Sequence, residues 1–319
     1  MIDNSASAFD LLIVTGPTAS GKTSLAVLLA DRLNGEIISA DSRQVYRQMD
    51  LGTGKDYSDY SIYGKTIPSH LLDIVDPGYK YNVFEYQRDF LKIYYDLKVR
   101  KRFPVVCGGS GMYIDSIVSG YKMFEVPPDL QLRSSLEKKS MNELIDILST
   151  CRELHNTTDI DTRKRAIRAI EIESYNKNRP GKKTPFPEVR PLVVGLMFDR
   201  LKRRERITMR LNKRLENGMV DEVKELLDRG LKPADLIYYG LEYKYITLYL
   251  TGRLTYDEML TQLEIAIHQF AKRQMTWFRG MERRGIKIHW IDGGMPPEDK
   301  VGLVLKLLGD PLSAKNAHT

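Results

Sequence analysis

Cysteine is almost missing from this chain. Cys107 and Cys151 are the only two in 319 residues, too few and too far apart in sequence for a disulfide framework or a zinc cluster, a usage that suits a reducing compartment. No apolar run reaches membrane length. The opening stretch MIDNSASAFD has neither the basic segment nor the apolar core of a signal peptide. We therefore expect a cytoplasmic protein with no membrane association. Internal repeats and low-complexity tracts are also absent. Charge is out of balance: 49 Lys and Arg face 42 Asp and Glu, a net charge of +7. That excess suits a polyanionic partner, although a solvated surface would account for it as well. With 42% hydrophobic residues the chain can bury one large core and a smaller satellite.

What is present begins with the pattern of strands and helices. The apolar run LLIVT predicts a buried strand, and Leu25, Leu28, Leu29 and Leu33 recur at helical spacing after it, with Gly35 placed to end the helix. EIIS, FPVVCGG and RPLVVGLMF read as further strands separated by helical segments. Such alternation predicts an α/β fold with a parallel sheet flanked by helices, and the motif Gly16-x-x-x-x-Gly21-Lys22-Thr23 makes that sheet P-loop NTPase-like. The interval 126–190 differs, opening with VPPD and closing with NRPGKKTPFP around helical periodicity, so an inserted helical domain is expected there between core segments 1–125 and 191–319. From Asp199 onward most of the chain reads as helix, and GDPLSAKNAHT as a frayed tail.

GPTASGKT, residues 16–23, lies between the first strand and the first helix and fits G-x-x-x-x-G-K-[ST] at Gly16, Gly21, Lys22 and Thr23. Backbone N–H groups of Pro17-flanked Thr18, Ala19 and Ser20 and of the helix start would face an anion, Lys22 adds a point charge, and Thr23 can ligate Mg²⁺. A glycine-rich turn without a ligand is the plainer alternative. ATP is the usual ligand of such a loop, yet VVCGGSG carries no carboxylate where a magnesium-holding Asp stands in a P-loop nucleotidase, which argues against hydrolysis. Asp73 and Asp76 in LLDIVDP are better explained as structural. Asp41, in SADSRQVY after the second strand, should border the same crevice as the phosphate loop. A carboxylate there can bind a ribose, hold magnesium through water, remove a proton, or simply cap a turn.

Several blocks together carry a family resemblance. GPTASGKT, ISADSRQVYRQMDLGTGK, HLLDIVDP, VVCGGSGMYI, TRKRAIRAIEI and QFAKRQMTWFR occur in order from about residue 11 to 292, and in them the chain resembles the tRNA dimethylallyltransferases, also called tRNA isopentenyltransferases. The resemblance implies that the loop holds the diphosphate of dimethylallyl diphosphate. It implies transfer of the dimethylallyl group to N6 of adenosine 37, next to the anticodon of tRNAs reading codons that start with U, with Mg²⁺ as cofactor and a monomeric enzyme. Asp41 matches the family base, Ser110 stands where the family usually has Thr, and Arg206 matches an arginine thought to face the diphosphate, with Arg203 and Arg204 as close competitors. Ser42, Arg43 and Gln44 match positions near the target nucleotide. Arg133, Lys164, Arg165, Ala166, Ile167, Arg168, Lys272, Arg273 and Gln274 match further tRNA-contact positions. A solvated helix face is the bland reading of the basic ones.

The chemistry agrees with these roles. An adenine amino group is a weak nucleophile, so attack on an allylic carbon needs a base and a stabilised leaving group, and a base in a tRNA loop must leave its stack to reach a pocket. On the long helix near the C-terminus, Thr255 and Glu258 form a capping box, while Leu260, Leu263, Ile267, Phe270 and Trp277 read as a core stripe. Two departures from the family stand out. YYGLEYK occupies the place of a GYKE block, and no CxxC or HxxxH pair follows residue 285, which implies the shorter bacterial architecture. Two rivals to tRNA prenyl transfer are an isopentenyltransferase acting on free adenine nucleotides and a small-molecule P-loop kinase. A third, an RNA-binding module without catalysis, would use the same basic positions.

Overall fold

The computed structural model describes residues 9–123, 125–151, 160–178 and 186–309. The tail expected beyond Gly309 and the basic positions 179–183 lie outside the described residues. The chain divides into two compact units, Met1–Tyr121 with Pro187–Thr319, and Lys122–Phe186.

The larger unit starts with β1, Leu11–Thr15, every residue of which is buried. Helix α1, Lys22–Arg32, covers it through Leu25 and Leu29. The helix does not end on Gly35, as its sequence suggested: Asn34 takes the left-handed turn at φ 51°, a conformation Asn tolerates, and Gly35 opens strand β2, Gly35–Ser39. A small hairpin follows, β3 Ser61–Ile62 with β4 Lys65–Thr66, and then a short strand β5, Ser69–His70. Helix α2, Val83–Val99, begins at a reciprocal Asn82–Glu85 capping box and leads to β6, Phe103–Cys107, and α3, Gly111–Val118.

The smaller unit is helical among its described residues: α4 Leu130–Leu136, α5 Met141–Cys151 and α6 Arg163–Asn178. Leu136, Leu144, Leu148, Ala166, Ile167 and Ile170 make its core. Beside that core sits Glu171, whose side chain is 1% exposed. Arg133 binds it in a fork, with Nε donating to Oε1 at 2.9 Å and Nη2 to Oε2 at 2.8 Å, and Arg168 adds a second guanidinium to the same carboxylate. The hydrogen bonds from the guanidinium groups hold the Glu171 carboxyl below its usual range although burial opposes this.

The chain returns to the larger unit with β7, Pro191–Met197, then runs through α7 Arg200–Glu216, α8 Met219–Asp228, α9 Pro233–Tyr238, α10 Leu241–Leu250 and α11 Tyr256–Arg283 before β8, His289–Asp292, and α12, Pro297–Gly309. The main sheet has the order β5-β2-β6-β1-β7-β8, and its pairs are parallel. Register puts Val14 and Ser39 both opposite Cys107. The loops leaving β1, β2 and β6 therefore start at one level, at the carboxyl edge where open α/β sheets bind ligands. Leu12, Val14, Leu29, Ile37, Val105 and Val194 belong to the core that fixes this edge.

Candidate active site

Those loops enclose a cavity of about 340 Å³ whose wall includes Thr18, Lys22, Thr23, Asp41, Ser110 and Arg210. The phosphate loop takes its shape from residues that can turn: Gly16 has φ 142° and Gly21, which caps α1, has φ 83°. A side chain is disfavoured at both. Lys22 is tied back by Nζ donating to the Pro17 carbonyl at 2.8 Å. The helix start leaves its first amides facing the loop, the usual arrangement for holding an anion.

Asp41 follows β2 and accepts the Arg43 amide on Oδ1 at 2.9 Å, so it shapes its own turn and still faces the cavity. Ser110 caps α3 from the loop after β6. Its Oγ accepts the Ser42 amide at 2.9 Å and donates to the Ser42 hydroxyl at 3.2 Å. Gln44 Nε2 donates to the Gly54 carbonyl at 3.2 Å, and the Arg43 guanidinium lies 5.2 Å from the Tyr238 ring centre. The structure thus gathers Asp41, Ser42, Arg43, Gln44 and Ser110 around one opening with Lys22 and Thr23.

The arginines of α7 divide between two recesses. Arg206 is absent from this cavity; its Nε donates to the Ala19 carbonyl at 2.9 Å and its guanidinium covers Phe198 at 4.6 Å from the ring centre. It borders a second recess, which the phosphate loop and the start of α1 line with Ser20, Gly21, Lys22 and Thr23 and to which Arg210 and Lys213 also contribute. One and two turns further along α7, Arg210 and Arg214 enter the main cavity. Their four-residue spacing was visible in the sequence, but a run so rich in Lys and Arg gave no way to choose a face. Burial pushes Lys22 down to about 8 and Arg210 down to about 10, and it lowers Arg214 as well. Glu242, on the same wall, is raised by burial despite Arg214 at 3.6 Å. Cations crowded into a poorly solvated cavity are stabilised by an incoming anion.

Other expectations shift on α11. Phe270, read as core, is 40% exposed and lines the cavity, whereas Gln274, which the resemblance places among the tRNA-contact positions, is 7% exposed. The helix face is rotated toward Met259, Ala266, Ala271, Met275 and Phe278. Lys272 and Arg273 are exposed. Trp277 is half-buried, and its ring sits so close to Gly111 that a Cβ there would lie 2.6 Å from Cγ. In the helical unit Ala166 and Ile167 have their side chains in the core, so they cannot offer them to RNA, while Lys164 and Arg165 are exposed and Arg165 pairs with Asp161 at 3.1 Å. Asp73 and Asp76 are structural: Asp73 pairs with Lys55, and Asp76 with Arg47 at 2.8 Å.

The YYGLEYK departure is also built into the architecture. Leu241 and Glu242 line the cavity, and the Tyr243 hydroxyl donates to Glu222 at 2.7 Å. Glu222 in turn accepts the amides of Asp50, Leu51 and Gly52 at 2.8, 2.7 and 3.0 Å, which fixes the loop that follows Gln44.

Comparison with known proteins places this geometry. A family model described as IPP transferase matches residues 44–281, more than half of the chain, and one described as isopentenyl transferase matches residues 9–61. The chain belongs to the IPP transferase family. It is 60% identical over 300 residues to tRNA dimethylallyltransferase 2 of Bacteroides fragilis, covering 94% of this chain and 98% of that one. It is 56% identical to tRNA dimethylallyltransferase 1 of Parabacteroides distasonis, covering 96% and 99%. Among solved structures it resembles the full-length tRNA isopentenylpyrophosphate transferase of Bacillus halodurans, with a TM-score of 0.68 and 30% identity over 93% of this chain and 94% of that one. As an IPP transferase family member the chain is a prenyl-type transferase, with the parallel-sheet fold expected of it. Among the described residues no helix is long and apolar enough to cross a membrane.

Proposed function

We propose that this chain transfers the dimethylallyl group of dimethylallyl diphosphate to N6 of adenosine 37, beside the anticodon, in tRNAs reading codons that begin with U, and releases diphosphate. The observation that carries the reading is that Asp41 shares one cavity with Lys22, Thr23 and Arg210. A base and an anion-holding set on one cavity are what substitution at an allylic carbon by a weak nucleophile requires. The N6–C1 bond forms as the C1–O bond breaks. Its electron pair leaves on the diphosphate oxygen, and the N6 proton passes to Asp41. Lys22, Arg210 and the loop amides take up the charge that develops on the leaving group.

A kinase reading is disfavoured because β6 ends at Cys107 and is followed by Gly108, with no carboxylate at that position. A free-nucleotide acceptor is disfavoured by the long match to the IPP transferase model and by the helical unit, which a mononucleotide would not need. Magnesium fits the residues present. It takes oxygen ligands and is commonly carried by phosphates with few protein contacts; Thr23 supplies a hydroxyl at the cavity wall, and no cluster of His, Cys, Asp or Glu suited to caging a metal occurs among the described residues. When bound it would neutralise charge on the diphosphate. A monomer working in the cytoplasm belongs to the same proposal. The deciding experiment offers labelled dimethylallyl diphosphate and Mg²⁺ to bulk unmodified tRNA, with AMP as a parallel acceptor. Label should enter tRNA, and label in AMP alone overturns the choice of acceptor.

Two expectations follow from the charges. Burial pushes Lys22 down to about 8, and a bound diphosphate raises that value by opposing charge. Donor affinity should therefore be complete below about pH 8 and fall as pH rises toward the higher bound-state value, by up to about tenfold per pH unit. Donor binding measured from pH 7 to 9, below the value near 10 of Arg210, should show this in the wild type but not in Lys22→Arg, whose guanidinium stays charged. A flat wild-type profile would remove Lys22 from the donor site. For tRNA, we expect Lys164 and Arg165 to contact backbone phosphates. Replacing either by Ala should flatten the log K versus log salt slope by roughly 0.7–0.9 per charge, with donor binding unchanged. Arg133 and Arg168 are poor probes of the same idea, because removing either would disturb buried Glu171 and confuse folding with binding.

A further inference from the structure

Gln274 ties the phosphate loop to the loop after β6 through one side chain. It projects from α11 and is 7% exposed. Its Oε1 accepts the Thr18 amide at 2.9 Å, and its Nε2 donates to the Gly109 carbonyl at 2.9 Å. The approach is close: a Cβ built on Gly109 would lie 2.6 Å from Nε2, so the glycine there is what lets the amide in. The residue after Gly109 is Ser110, whose Oγ takes the Ser42 amide at 2.9 Å, and Ser42 follows Asp41. An unbroken path of short hydrogen bonds and adjacent residues thus runs from the phosphate loop through Gln274 to the loop that carries Asp41. Because one planar amide makes both inter-loop bonds, moving one loop reorients the group that holds the other.

We infer that Gln274 is a positioning residue that couples the two substrate sites, so that an anion seated in the phosphate loop favours the arrangement of Gly109, Ser110 and Asp41 that receives the acceptor base. The inference rests on the proposed division of the cavity into donor and acceptor sides. Coupling between sites is reciprocal. Saturating diphosphate should tighten binding of the acceptor, and the acceptor should tighten diphosphate by the same factor.

The test measures that factor by binding alone, with inorganic diphosphate and Mg²⁺ as one probe and an unmodified anticodon stem-loop RNA as the other, on the full chain. The wild type should show mutual tightening of about fivefold or more. Gln274→Met keeps the shape and loses both bonds; Gln274→Glu keeps the acceptor for Thr18 and loses the donor to Gly109. Both should bring the factor to about one, whereas a merely structural role would lower thermal stability and leave the factor intact. Equal coupling in the wild type and in whichever variants fold, or no coupling in the wild type, overturns the inference. Gln274→Asn, which keeps the amide but is too short to reach both loops, is the milder third variant and should also bring the factor to about one; an intact factor in it overturns the inference. Prenyl transfer is assayed separately: coupling without transfer to tRNA would support this inference and sink the proposed reaction, and transfer without coupling would do the reverse.

Discussion

Asp41→Asn should lower single-turnover prenyl transfer to tRNA by about 10²- to 10⁴-fold, the loss typical of removing a general base, while both substrates still bind. Asn is chosen because the structure gives Asp41 two jobs that the substitution separates. Oδ1 accepts the Arg43 amide at 2.9 Å, and the Asn side-chain carbonyl can do the same, so the turn that presents Ser42 and Arg43 should survive. What Asn cannot do is take a proton from N6. The expected pattern is thus a fall in the chemical step, with Kd for tRNA and for diphosphate within a few-fold of wild type and an unchanged thermal midpoint. Asp41→Ala is the contrasting variant. It removes the turn bond as well, and should add weaker tRNA binding to the catalytic loss. If Asp41→Asn turns over within a few-fold of wild type, the carboxylate is a turn former and the base lies elsewhere on the cavity wall, where Glu242 becomes the next carboxyl to test.

The parts of the site that could be read from the sequence are those set by local spacing. The phosphate loop declares itself because strand, glycines, lysine and helix follow one another within a few residues, and Asp41 follows from its place just beyond a strand that pairs in parallel with β6. What could not be read depends on contacts between distant segments. Strands β5 and β8 are short, and their residues carry no alternation strong enough to separate them from loop. On α11 the apolar residues leave the helix face ambiguous by one position, enough to place Phe270 in the core when the fold exposes it, and to give no sign that Gln274 is buried. Glu171 lies next to a basic stretch and looks like surface charge; only the packing of α4 against α6 reveals that it is buried and takes up both Arg133 and Arg168. A polar residue with a buried partner looks in sequence like one with none.

Arg210→Met should cost about 10²- to 10³-fold in kcat, comparable to losing one preorganised group that stabilises developing negative charge, whereas Arg206→Met should act mainly on donor binding. The two arginines are one helical turn apart on α7, yet their surroundings assign them different work. The Arg206 guanidinium already has a carbonyl and a ring as partners, Ala19 O at 2.9 Å and the Phe198 ring centre at 4.6 Å, so it braces the phosphate loop beside the recess it lines with Lys22 and Thr23. Arg210 lines the main cavity as well as the recess that Arg206 borders, its guanidinium held by a long 3.4 Å bond to the Gly54 carbonyl, and burial pushes it down to about 10. A cation held in such surroundings gains most when charge appears on the diphosphate, which happens as the C–O bond breaks. Its loss should therefore reach kcat more than donor KM. Arg210→Lys should recover part of the rate, since an ammonium supplies the charge without the planar fork. Single-turnover rates and donor Kd values for the three variants check the assignment. A larger kcat loss in Arg206→Met than in Arg210→Met would return the leaving-group role to Arg206 and leave Arg210 as a brace for the loop around Gly54.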